Sequence, residues 1–170
     1  MLLSGIILTD QNTWNYNLLF FATPSVLGWY YSHLLPLRST KTFILLSVGV
    51  NLLAFIYFNI DSLHFFTRYN TYQYAIAFIT LVAYCFLYFY YLLDNISEDD
   101  ILADFNFWLS CGYLLYFLGA FIFILFYKEA TSEQRGDMWA SQNIILLFSA
   151  LITFFGHLRN MYTKTPNDVT

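Results

Sequence analysis

The sequence predicts an all-α integral membrane bundle of five transmembrane helices, and three observations carry that reading. The seven Lys and Arg and the eleven Asp and Glu residues all fall between five apolar stretches: Asn17 to Leu37, Thr42 to Ile60, Tyr69 to Leu93, Phe105 to Tyr127 and Met138 to Leu158. Each stretch has the right length, since about 20 residues rising about 1.5 Å each cross the roughly 30 Å hydrocarbon core of a bilayer. The composition agrees, with 59% apolar, 22% aromatic and 11% charged residues over 170 positions, where a globular domain carries about a quarter charged. A charge at mid-span costs about 2.5–3.5 kcal/mol on an insertion scale. A water-soluble helical protein would instead carry charges along one face of each helix.

Five spans and four connections use nearly the whole chain. They leave one membrane domain over residues 1–170, with no room for a soluble catalytic or DNA-binding domain. The net charge of −4 comes without a Lys or Arg stripe that could follow a phosphate backbone, so nucleic acid is not an expected partner. The partner that the composition does imply is the lipid bilayer. Met1 to Thr9 is apolar but too short to span and lacks a basic lead, so it reads as a short interfacial lead-in or the remnant of an earlier helix rather than a cleaved signal peptide. Cys85 and Cys111 fall inside the third and fourth stretches and read as small buried apolar side chains.

The first span contains Pro24, where a bend is expected, and Pro36 closes it, because proline lacks an amide hydrogen and clashes with the preceding turn. Ser25, Gly28 and Ser32 give it a small-residue face for close helix approach. In the second span Ser47, Asn51 and Ala54 share a face. Asn51 is the most polar residue deep in any span, and its carboxamide is expected to bond a neighbouring helix or contact a ligand.

The third span shows the clearest periodicity. Tyr74, Ala77, Leu81, Tyr84, Tyr88 and Tyr91 recur in steps of three and four and so share one helical face. Lipid tails offer no partner to a phenolic hydroxyl, so this face is expected to point into the bundle or toward the headgroups, with Tyr84 and Tyr88 the deepest. The acidic connection from Asp94 to Asp104 lacks the alternating ligands and central glycine of a calcium loop. It reads as a short interfacial amphipathic helix between spans three and four, with Ser97 as N-cap and Asp100 as its box partner.

In the fourth span Gly112 and Gly119 flank Tyr116, and in the fifth Gln142, Ser149 and Gly156 are spaced by seven, with Asn143 beside them. These faces are expected to pack against each other. The candidate polar contacts, to ligand or between helices, are therefore Asn51, Tyr84, Tyr88, Tyr116, Gln142 and Asn143. No span contains an acid, which argues against an ion relay, and no nucleophile with an acid and base pair is visible, so no enzyme is expected. His33 and His157 each end a span on the same predicted side and are the only candidates for haem or metal ligation; no cofactor is expected. Asp61 and His64 read as a wetted loop pair. Alternate counting of loop Lys and Arg places Arg38, Lys41, Arg159 and Lys164 on one side and Arg68, Lys128 and Arg135 on the other. The positive-inside rule then gives an N-terminus outside, a C-terminus inside and the acidic connection in the cytoplasm.

The run from Asn106 through Trp108, Gly112, Tyr116 and Phe117 to Gly119 resembles a segment of small multi-span membrane proteins of Bacteroidota. In those an aromatic pair with Trp precedes a Gly, a Leu/Ile-Tyr-Phe run and a second Gly. Asn12 to Asn17 and Leu87 to Tyr91 are similar to the same pattern, which concerns hydropathy and aromatics over most of the chain. The resemblance implies a family of about seven spans, often encoded beside or fused to sensor histidine kinases. It implies for this chain a shortened, multi-pass protein of the inner (cytoplasmic) bacterial membrane, non-catalytic, acting as a sensory or partner-binding module with a kinase-type partner. A structural or accessory subunit of a larger membrane complex, and a haem-binding redox protein using His33 and His157, are the alternatives.

Overall fold

The computed structural model describes residues 13–60, 71–95, 101–126 and 129–163. Met1 to Thr9, Asp61 with His64, the run from Ile96 to Asp100 that includes Ser97, and Arg68, Lys128 and Lys164 lie outside them. Among the described residues the chain is helical, with no strand, in five helices: α1 (Thr13–Leu34), α2 (Arg38–Asn59), α3 (Thr71–Asn95), α4 (Phe105–Phe126) and α5 (Ser132–Thr163). Four of these, α2 to α5, are long and apolar enough to cross a membrane. At 22 residues α1 has the length, but it is not among the four helices apolar enough along a continuous stretch to count as a span.

The helix limits follow from local chemistry. Helix α1 ends two residues before Pro36, because the residue preceding a proline is pushed out of the α region; Leu37, on the other side of the proline, is extended at φ −69°, ψ 130° and leads into α2. Earlier in the same helix Pro24 cannot donate to the carbonyl of Phe20, yet the helix runs through it. Its neighbours Thr23 and Ser25 bond back to the carbonyls of Leu19 and Phe21 at 2.8 and 3.3 Å, the way hydroxyls are satisfied where water is absent. Helix α4 starts at an Asp104 cap, whose Oδ1 accepts the Asn106 amide at 2.8 Å. Helix α5 opens with a reciprocal capping box: the Thr131 amide donates to Gln134 Oε1 at 2.8 Å and the Gln134 amide to Thr131 Oγ1 at 3.3 Å. Such a box satisfies two of the amides that a helix start leaves without partners.

The chain divides into two compact units, Met1–Leu81 and Val82–Thr170, with the boundary inside α3. In the first, the three-residue turn at 35–37 sets α1 and α2 side by side. Aromatic rings fasten α1 on both flanks: Phe21 to Phe55 of α2 at 4.7 Å, and Phe20 to Tyr74 and Phe78 of α3 at 4.2 and 5.1 Å. In the second unit α4 and α5 pack along most of their length. Helix α3 is the most enclosed, with 44% of its span buried against 11%, 22% and 6% for α2, α4 and α5. Its buried stripe is Tyr74, Ala77, Phe78, Leu81, Tyr84, Cys85, Tyr88 and Leu92, which contains all of the predicted tyrosine face except Tyr91, itself half-buried.

The outward surfaces are apolar. On α2, Leu45, Leu46, Leu53 and Tyr57 are each more than 60% exposed, and on α5 Leu147, Phe148, Leu151, Phe154 and Phe155 are each more than 50% exposed. In water such surfaces would be an aggregation hazard; against acyl chains they are the ordinary exterior of a membrane protein, which is what this chain is.

Candidate functional site: the polar interior

With lipid outside and no water at depth, the side chains able to do chemistry are the polar ones facing inward. In the first unit four of them form one chain of hydrogen bonds across three helices. Tyr74 Oη donates to Asn17 Oδ1 at 2.9 Å, Gln73 Nε2 donates to the Asn17 carbonyl at 3.2 Å, and Asn59 Nδ2 donates to Gln73 Oε1 at 2.7 Å. Asn17 is fully buried and Gln73 and Tyr74 nearly so. Asn59 also holds the Phe55 carbonyl of its own helix at 2.8 Å. Two turns further along α2, Asn51 Nδ2 donates to Thr80 Oγ1 of α3 at 3.0 Å and to the Ser47 carbonyl at 2.8 Å. Thr80 passes its own hydrogen to the Ile76 carbonyl at 2.8 Å.

In the second unit Tyr88 Oη donates to Asp104 Oδ2, the carboxylate whose other oxygen caps α4. The α4 and α5 seam is built from the small residues singled out above. Ser149 Oγ donates to the Gly112 carbonyl at 2.7 Å. A methyl group placed on Gly112 would meet Thr153 Oγ1 at 2.6 Å, one on Gly119 would meet Ile145 Cδ1 at 2.7 Å, and one on Gly156 would run into Trp108. Gln142 reaches Tyr116 Oη at 3.5 Å, the outer limit of a hydrogen bond.

The structure thus joins Gln142 to Tyr116, gives Asn51 and Tyr88 partners on other elements, and leaves Tyr84 fully buried. It separates Asn143 from its neighbour: Gln142 turns toward α4, whereas Asn143 is exposed. Residues that the sequence reading passed over are Asn17, Asn59, Gln73, Thr80 and Asp104. A signal was present for two of these, since Gln73, Ala77, Thr80 and Tyr84 follow at steps of four, three and four and place two amide or hydroxyl groups on the tyrosine stripe. Asn17 and Asn59 sit at span ends, where polarity is ordinary.

The histidines are at the margins. His33 lies exposed, its Nδ1 2.8 Å from the Trp29 carbonyl and its ring 4.7 Å from the Trp29 ring, so Nε2 is its outward nitrogen. His157 is exposed and lies edge-on to Phe105 at 5.9 Å. Cys85 is buried and Cys111 half-buried, both as free thiols. Among the described residues no group of three His, Cys, Asp or Glu side chains converges to hold a metal.

Chemically, the interior is a set of carboxamides, hydroxyls and carbonyls that hold helices to one another. No protein family, curated protein or solved structure was found to match this chain.

Proposed function

We propose that the chain is a five-span protein of the inner bacterial membrane that acts by binding a partner, as a sensory or partner-binding module of a signalling system with no catalysis of its own. The observation that carries this reading is how the deep polar groups are used. The Asn51, Gln73, Tyr74 and Tyr88 donors are committed to interhelical or capping bonds, so recognition falls to surfaces and connections rather than to an inward-facing chemical centre. Helix α1 supplies the fifth crossing: it carries no Asp, Glu, Lys or Arg and its 22 residues extend about 33 Å. The Arg38 and Lys41 pair at the start of α2 favours the N-terminus outside and the C-terminus inside, with the acidic connection, folded as a short interfacial helix, in the cytoplasm. Resemblance to proteins encoded with sensor histidine kinases points to a kinase-type partner.

The test is affinity capture of the full chain from native membranes. Co-purification of a kinase-type membrane protein is the expected result, and recovery of lipid alone sinks the proposal. A second reading, an accessory subunit of a larger complex, draws on the apolar exterior of α2, where Tyr57 is 74% and Leu45 73% exposed. Blue-native electrophoresis decides it: a large stable assembly supports it, and a species no larger than one or two copies of the chain removes it.

A further inference from the structure

The hairpin of α1 and α2 carries positive charge at its turn and no negative charge along its length. Arg38 and Lys41 lie in the first turn of α2, and no Asp or Glu occurs between Asp10 and Asp61. Both cationic side chains are exposed. Of the four Lys and Arg among the described residues, Arg135 and Arg159 engage other groups of the chain, whereas Arg38 and Lys41 make no ion pair with any described residue. The two also stand three residues apart on a helix, a spacing that puts their Cβ atoms about 5–6 Å from each other. One small anion can therefore meet both.

The same side of α2 changes character within two turns. Arg38, Lys41, Leu45 and Leu52 follow in steps of three, four and seven, so they share a face, and both leucines are exposed. From the turn into the membrane this face offers two cations and then apolar surface, the order in which a phospholipid offers its phosphate and its acyl chains. Helix α1 supplies an interfacial aromatic at the same end of the hairpin. Trp29 is 66% exposed and lies five residues inside the end of its helix, about 7.5 Å along the axis. Its indole N–H bonds no described residue, and at that level a tryptophan keeps its ring among acyl chains and turns its N–H toward the headgroup zone. His33 packs on it, with ring centroids 4.7 Å apart and Nδ1 2.8 Å from the Trp29 carbonyl.

We infer that the turn end of this hairpin binds an anionic phospholipid, with its phosphate on Arg38 and Lys41 and its acyl chains along Leu45 and Leu52. The charge of the headgroup decides which lipid. A zwitterionic headgroup brings an ammonium that competes for its own phosphate, whereas the headgroup of a phosphatidylglycerol carries a phosphate with no cation beside it. Inorganic phosphate or an acidic soluble protein would satisfy the cations and leave the two leucines unused. The inference needs the membrane placement of α2 and no kinase-type partner, so it stands or falls apart from the signalling reading.

The experiment mixes the full chain in detergent with equal amounts of phosphatidylglycerol and phosphatidylcholine bearing the same acyl chains, and counts the lipid that stays bound by native mass spectrometry. Retention of phosphatidylglycerol in excess is expected. Arg38→Gln and Lys41→Gln should each lower that excess about fivefold, and the two together about twenty-five-fold, from the attraction of single cations for an anionic headgroup. Arg38→Lys keeps the charge and should keep most of the excess, and Arg159→Gln, which removes a cation already engaged within the chain, should leave it unchanged. Melting temperature without added lipid should be the same in the native chain and the Gln variants, which separates a lost contact from misfolding. Equal retention of the two lipids by the native chain overturns the inference. So does an excess that survives the double Gln variant, or one that falls as far in Arg159→Gln. Displacement of phosphatidylglycerol by inorganic phosphate at the lipid's own concentration would make the site one for the free ion, and overturns it too.

Discussion

Tyr88 of α3 donates its hydroxyl hydrogen to Asp104, the same carboxylate that caps the first turn of α4. One side chain thus terminates a buried tyrosine and starts a helix. Asp104→Ala should cost both contributions, about 0.5–2 kcal/mol for the cap and about 1.5–3 kcal/mol for the tyrosine's hydrogen bond to a charged group. Tyr88→Phe removes donor and demand together and should cost less than Asp104→Ala, and Asp104→Asn, which keeps an acceptor and a capping oxygen, should be the mildest. Thermal unfolding in detergent ranks the three; an Asp104→Ala protein as stable as Tyr88→Phe would show that the shared carboxylate contributes only one of the two.

The glycines should divide by what faces them. Gly112→Ala meets a hydroxyl and a backbone carbonyl of α5, and Gly156→Ala meets Trp108, so each should lose about 1–3 kcal/mol by overpacking. Gly49 has nothing within 4 Å of a Cβ, and Gly49→Ala should gain about 0.5–1 kcal/mol from helix propensity. Melting temperatures of the three variants against the native chain check the sign of each change.

The Asn51 and Thr80 bond should be measurable as coupling. In membranes such pairs average about 0.6 kcal/mol and reach about 1.7, because the separated helices find other partners. A double-mutant cycle of Asn51→Ala and Thr80→Ala should return a value in that interval. A coupling near zero would mean that Asn51 is held by the Ser47 carbonyl of its own helix alone.

Five crossings put the two termini on opposite sides of the membrane, and four put them on the same side. Reporter fusions after Thr170 and before Met1, together with labelling of a cysteine introduced at Glu129, should find the N-terminus outside and the C-terminus inside. Both termini on one side would remove α1 from the spanning set.

His33 and His157 supply the one cofactor test. Chain purified from its native membrane should show no Soret absorption, and His33→Ala with His157→Ala should leave its spectrum and melting temperature unchanged. A Soret band lost in either variant would reverse the expectation of no cofactor.

The sequence made the exterior legible more fully than the interior. Exclusion of charge marked where α2 to α5 run, because the cost of a charge in hydrocarbon applies residue by residue and needs no knowledge of neighbours. It under-read their ends: α5 begins at Ser132 rather than Met138, since the Thr131 and Gln134 box starts a helix in the polar region before the apolar stretch. Periodicity placed Gly112 and Ser149 at one seam and the tyrosines of α3 on one stripe. It could not separate Gln142 from Asn143, whose adjacency conceals a turn of about 100° between their side chains. Least legible were Asn17 and Asn59, each an unremarkable span end until the fold brings it to Tyr74 or Gln73.

Those bonds also set a timetable. Asn17 finds its partners 56 and 57 residues downstream, in Gln73 and Tyr74. At a synthesis rate of about 5–20 residues per second, that separation is a delay of about 3–11 s. Throughout it Asn17 Oδ1 lacks the Tyr74 hydroxyl that it accepts in the finished fold. Completion of the first unit therefore waits on translation of α3, and a chain stalled after Asn59 would hold two helices with their shared polar anchor still unmade.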